Sequence, residues 1–95
     1  MDGDNVLVVG SAVLEFTGKA KHPITVGSRQ LGHVYSSVSG VARNIAENLA
    51  RLELDTILLS AIADDDIGQQ LVTQSQQAGI DCSHILRVAG ARTAT

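Results

Sequence analysis

Ser39-Gly40-Val41-Ala42-Arg43-Asn44-Ile45-Ala46 is where a glycine-punctuated segment gives way to the first helix of the chain. Before it the sequence reads as short strands, and after it helix and strand alternate. In a helix over Val41 to Leu52, Val41, Ile45, Leu49 and Leu52 fall within about 80° of one another, and Ala42, Ala46 and Ala50 widen that arc to about 180°. This half is expected to be buried. Arg43, Glu47, Arg51, Asn44 and Asn48 fill the other half, with both asparagines bordering the apolar stripe. An amide there, one turn into a helix and next to backbone N–H groups, can hold a polar ligand. The same residues also suit a plain helix start with Ser39 as cap and Asn44 as a boundary residue.

Working outward, Asn5 to Gly10 is a continuous apolar run closed by glycine, the pattern of a strand buried on both faces of a parallel sheet. Ser11 to Phe16 continues it and sets Glu15 between Leu14 and Phe16, where its carboxylate faces either solvent or polar ligand groups. Thr17 to Ser39 holds Gly18, Gly27, Gly32 and the lone proline, Pro23. It reads as a flap of two short strands, Ile24 to Val26 and His33 to Val38, whose Val34, Tyr35 and Val38 would cover a ligand or a second copy of the chain. Lid strands are therefore expected within about 14–39.

Beyond the helix, Thr56 to Ile62 is a second buried strand, Asp66 to Ala78 a second helix closed by Gly79, and His84 to Val88 a third strand. In the second helix Ile67, Leu71, Ser75 and Ala78 share one side. Asp64-Asp65-Asp66 is read as capping and dipole chemistry at that helix start rather than as a metal site. Arg92 to Thr95 looks like the opening of another strand. The order strand, flap, helix, strand, helix, strand begins a doubly wound α/β sheet, so residues 1–95 are expected to be one partial α/β domain.

Composition narrows the class. At 95 residues the chain is at most one domain, and with only Phe16 and Tyr35 as aromatics its core must be aliphatic. Net charge is −3 and the seven basic residues are scattered, which argues against a nucleic-acid surface. No apolar run is long enough to span a bilayer, and the acidic start Met1-Asp2-Gly3-Asp4 does not suit a signal peptide, so a cytoplasmic protein is expected. Cys82 is alone, and His22, His33 and His84 are dispersed, so each is expected to be an ordinary surface or boundary residue. Neither G-x-x-x-x-G-K-[ST] nor G-x-G-x-x-G occurs, which makes a nucleotide-binding Rossmann domain the least favoured reading.

Gly10-Ser11 after the first strand, the flap, the Ser39 to Asn44 run and Asp64-Asp65-Asp66-Ile67-Gly68, in this order and spacing, resemble the N-terminal third of the ribokinase-like (PfkB-type) carbohydrate kinases. Asn44 to Ala50 and Gln77-Ala78-Gly79 are most similar to pseudouridine kinases. The resemblance implies that sugar hydroxyls are gripped by Glu15, by the Ser39 and Gly40 backbone and by Asn44, under a closing lid. The family usually carries Asn-x-Asp where this chain has Val13-Leu14-Glu15, and glycines where it has Ser39, Ala42 and Ala63. The family's catalytic aspartate, its Gly-Ala-Gly-Asp anion hole and its ATP site lie downstream. The resemblance thus implies the substrate and lid part of a sugar or nucleoside kinase, inactive alone. No cofactor is expected on the chain itself, ATP and magnesium belong to a full-length kinase, and a homo-oligomer is expected. The alternative is a non-catalytic binding or dimerisation module on the same scaffold.

Overall fold

The computed structural model describes residues 5–95, and the acidic start Met1 to Asp4 lies outside them. The body is built on two parallel strand pairs. Its first strand, β1 (Asn5–Val9), pairs in register with a later strand, Asn5 opposite Asp55 and Val9 opposite Leu59. Gly10 then breaks the strand and the chain doubles out into an antiparallel hairpin, β2 (Val13–Ala20) with β3 (Gly32–Ser39). Helix α1 (Val41–Arg51) follows, then β4 (Asp55–Leu59) and β5 (Ala61–Ala63), α2 (Asp66–Gln77) and β6 (Leu86–Val88), which pairs parallel to β5. Ser60 bends the predicted strand 56–62 into β4 and β5, and its carbonyl still accepts from Leu86 N–H. The α/β order is the expected one, and both helices end within one residue of expectation.

Three expectations are corrected. Ser11 to Phe16 does not prolong the first strand: Ser11 and Ala12 form a corner, and β2 from Val13 belongs to the hairpin. Ile24 to Val26 is no strand. Pro23 removes a donor there, and Thr25 to Ser28 closes a turn through Ser28 N–H to Thr25 C=O with Gly27 at φ +77° inside it, so the outgoing hairpin strand is β2. The third is that β1 is not buried on both faces. Parallel register puts Val6, Val8, Thr56 and Leu58 on one face and Leu7, Val9, Ile57 and Leu59 on the other. The core, which unites Ala42 and Ala46 of α1, Leu71 and Val72 of α2, Leu58, Ile62, Ile80 and Cys82, covers the first face. Leu7 and Val9 stay more than half exposed.

The same asymmetry rotates α1 from its expected setting. Ala42 and Ala46 face the sheet while Val41 and Leu52 are about 70% exposed. Small side chains let the helix approach closely: a Cβ on Gly10 would lie 2.8 Å from that of Ala42. Arg43, expected on the solvent half, is only 5% exposed, and Cys82, expected near the surface, is buried.

Gly40 joins the hairpin to α1 at φ +108°, and a Cβ there would stand 2.6 Å from the Ser11 carbonyl oxygen and 2.9 Å from Ala12 Cα. Both the backbone conformation and the neighbour exclude a side chain. Gly40→Ala should therefore destabilise the fold by roughly 2–4 kcal/mol. Gly18→Ala, at a hairpin position with nothing within 4 Å, should change stability little. Paired urea denaturation of the two variants checks this, and equal midpoints would contradict it.

Candidate functional site

The start of α1 is held by residues from three places. Val41 N–H donates to Ser11 Oγ at 3.1 Å and Arg43 N–H to the Ser11 carbonyl at 3.1 Å, so two free donors of the first turn are met by the corner after β1. Gly40, not Ser39, is the residue that begins the helix, and no side chain caps it. Ser39 instead uses its Oγ to accept from Asn44 Nδ2 at 3.3 Å. Three of the four sequence-predicted residues, Ser39, Gly40 and Asn44, are thus brought together at one helix start. Asn44 is exposed beside a cleft of about 430 Å³ lined by Val38, Arg43, Asn44, Glu47 and Asn48.

Glu15 reaches the same region by hairpin register. It pairs with Ser37, and Val13 pairs with Ser39, so Glu15, Ser37 and Ser39 share one hairpin face. The opposite face carries Leu14, buried, paired with Val38 against the core. Glu15 is exposed, which resolves its alternation: the carboxylate lies on the side away from the core.

A second cluster forms at the other helix start. Asp65 caps α2, accepting Gly68 N–H at 2.7 Å, and its carboxylate also accepts the Thr93 N–H at 2.9 Å and the Thr93 hydroxyl at 2.6 Å. Thr93 Oγ1 in turn accepts from Ala63 N–H at 3.0 Å. These bonds, the Thr93 hydroxyl foremost, hold the Asp65 carboxyl below its ordinary range. The residues after Gly90 are tied down here, and Leu14 N–H donates to Ala94 C=O, which joins this segment to the base of the hairpin. Among the described residues no group of three His, Cys, Asp or Glu side chains is placed to hold a metal, and none of their helices is long and apolar enough to cross a membrane.

A family model described as pfkB family carbohydrate kinase matches residues 4–95. The chain belongs to the pfkB family of carbohydrate kinases. It is 36% identical over 92 residues to the pseudouridine kinase of Escherichia coli (strain K12), a match covering 97% of this chain and 29% of that protein. An uncharacterized sugar kinase of the same strain is 37% identical over 91 residues, 96% of this chain and 23% of that one. Among solved structures, the PfkB protein from Polaromonas sp. JS666 superposes with a TM-score of 0.74 at 27% identity, covering 94% of this chain and 29% of that one. A carbohydrate kinase from Agrobacterium tumefaciens, at 22% identity and TM-score 0.81, shares the fold. The chain spans less than a third of the length of these relatives.

In this pfkB chain the residues that sequence reasoning passed over are Ser11, Thr93 and Arg43. Ser11 gave no signal beyond its glycine neighbour. Thr93 lies 28 positions from its partner Asp65 and was legible only as a β-favouring residue. Arg43 left one trace, a serine, Ser75, in the apolar stripe of α2 that accepts its Nε–H at 3.2 Å.

Thr93→Val keeps the shape of this buried side chain but strands Ala63 N–H, and should cost about 1–3 kcal/mol. Because the folded Asp65 carboxyl titrates below its unfolded value, the stability it lends is present above about pH 4 and is lost as pH falls through the depressed value. Melting temperature followed from pH 6 to pH 2 should fall less steeply at its acid end in Asp65→Asn than in the parent. Glu47 and Asp81, whose carboxyls are also held low, supply the slope that remains. Parallel acid limbs would refute the assignment.

Proposed function

We propose that this chain forms the substrate-binding and lid portion of an ATP-dependent kinase acting on a hydroxyl of a sugar or nucleoside, with pseudouridine-like nucleosides as the first class to test. The observation that carries this reading is the Asn44 amide, which lines the cleft and is held at Ser39 Oγ next to Gly40, with Glu15 on the hairpin face of Ser39. A carboxylate accepts from sugar hydroxyls, and an amide both donates and accepts, so the set can orient a polyol through several bonds at once. The glycosyl specificity of the family's named members differs, and the 36% identity to a pseudouridine kinase favours a nucleoside.

The β2–β3 hairpin acts as the lid in this reading, keeping water from the acceptor hydroxyl. The chain's own residues bind and orient; they do not move the proton. The donor set does not fit magnesium, since the Asp65 carboxylate is engaged by Thr93 and Gly68. ATP, magnesium and the group that deprotonates the acceptor therefore belong to the remainder of a complete kinase fold, and this chain alone should show no phosphotransfer.

Titration of the labelled chain with pseudouridine or ribose, followed by amide NMR, tests the site. Asn44→Ala and Glu15→Ala should each weaken binding by roughly 1–3 kcal/mol while the melting temperature holds, because both side chains are exposed. Unchanged binding with a lowered melting temperature would make Asn44 a structural boundary residue and remove it from the pocket.

A second reading, of a binding or dimerisation module, draws on uncovered apolar residues in two places. Leu7 and Val9 on the open sheet face and Val41, Ile45 and Leu52 along α1 are 47–73% exposed, apolar surface of the kind that marks an interface. The chain should accordingly associate, as a homo-oligomer when no other partner is offered, and light scattering at high micromolar concentration should exceed the monomer mass. A clean monomer would dismiss this reading.

A further inference from the structure

Arg43 is the one arginine of the chain buried in the body, and it sits beside the candidate binding residue. Its Nε–H donates to Ser75 Oγ at 3.2 Å and its Nη1 pairs with Glu47 one turn along α1. Ser75 is 1% exposed in the third turn of α2. Glu47 is held in place from the other side, where its second carboxylate oxygen accepts from Arg51 Nε at 2.8 Å. Among the described residues no buried side-chain nitrogen or oxygen lacks a partner, and Arg43 meets its two through Nε and Nη1.

The two helices otherwise pack on different elements: α1 lies against β1 and β4, while α2 lies against β5 and the base of the hairpin. The bond from Arg43 to Ser75 joins the two helices directly, side chain to side chain. A planar guanidinium accepts only a narrow range of approach, and a buried one cannot trade a lost partner for water. The arrangement therefore fixes the rotation of α1 about its own axis. Asn44 is the next residue, about 100° around the helix, and its amide is tethered by the single bond to Ser39 Oγ on the hairpin.

We infer that Arg43 is a positioning residue for the substrate site, and that Ser75 and Glu47 lock α1 through it so that the Asn44 amide is aimed at the Ser39 end of the lid. The inference deepens the proposed function and rests on it for its binding consequence, but not for its geometric one. The Arg43 guanidinium is buried and engaged by Ser75 and Glu47. Its role is to set where the neighbouring amide stands, which a generic packing contribution would not do.

Ser75→Ala removes the acceptor without touching α1, and Arg43→Lys keeps the charge near Glu47 but loses the planar donor. Val72→Ala, in the same helix and core, serves as the control for plain loss of stability. The readout is the Asn44 side-chain amide resonance in the nitrogen-labelled full chain, together with its titration by pseudouridine. Both test variants should shift that resonance and weaken pseudouridine binding about tenfold, whereas Val72→Ala should lower the melting temperature and leave both unchanged. If Ser75→Ala and Arg43→Lys move the Asn44 resonance no more than Val72→Ala does, the inference is overturned. If the parent chain binds no pseudouridine, the nucleoside reading fails for it, and the resonance alone still decides the role of Arg43.

Discussion

The crossing of Gly40 over Ser11 and Ala12 is the constraint on which the rest depends. Two chain segments meet there at backbone distance, closer than any Cβ permits. The approach lets the Ser11 hydroxyl and carbonyl meet the first donors of α1, so the helix start is satisfied by the loop that leaves β1 rather than by its own preceding serine. One contact thereby sets the end of the first strand, the base of the hairpin and the origin of the helix that carries Asn44. Side chains around the crossing have room to change where Gly40 has none.

Local patterns revealed much of this. The 3.6-residue period and the glycine and aspartate punctuation located both helices, and the apolar runs located the parallel strands, because each signal is carried within a dozen residues. Assembly of Ser39, Gly40 and Asn44 at one place also follows from neighbours in sequence. Glu15 required more: its side of the hairpin depends on the register with Ser37, which periodicity in β2 alone does not specify.

What was illegible depends on contacts distant in sequence or on surfaces left uncovered. The apolar arc of α1 predicted Val41 and Leu52 inside, yet the helix lies on its alanines because the sheet approaches closely there. Arg43 looked like a solvated charge, and the Glu47 carboxylate together with a buried hydroxyl 32 residues away makes its burial tolerable. Asp65 was correctly read as a cap, but its two further bonds to Thr93 had no counterpart in local sequence. Polar groups with distant partners read as surface in one dimension and become structural in three.

The hairpin has a mechanical corollary. Each of its strands has eight residues, so the ladder runs about 25 Å from the core to its tip, and the molecule measures 56 Å along its longest axis against 18 Å along its shortest. Its fastenings are all at one end, where Leu14 is buried and hydrogen-bonded to Ala94 and where β3 runs into Gly40. Such a beam works as a lever with its fulcrum at Val13 and Ser39. A tilt of about 10° at that fulcrum carries the tip roughly 4 Å, so small adjustments at the pivot are amplified into larger excursions of the hairpin tip.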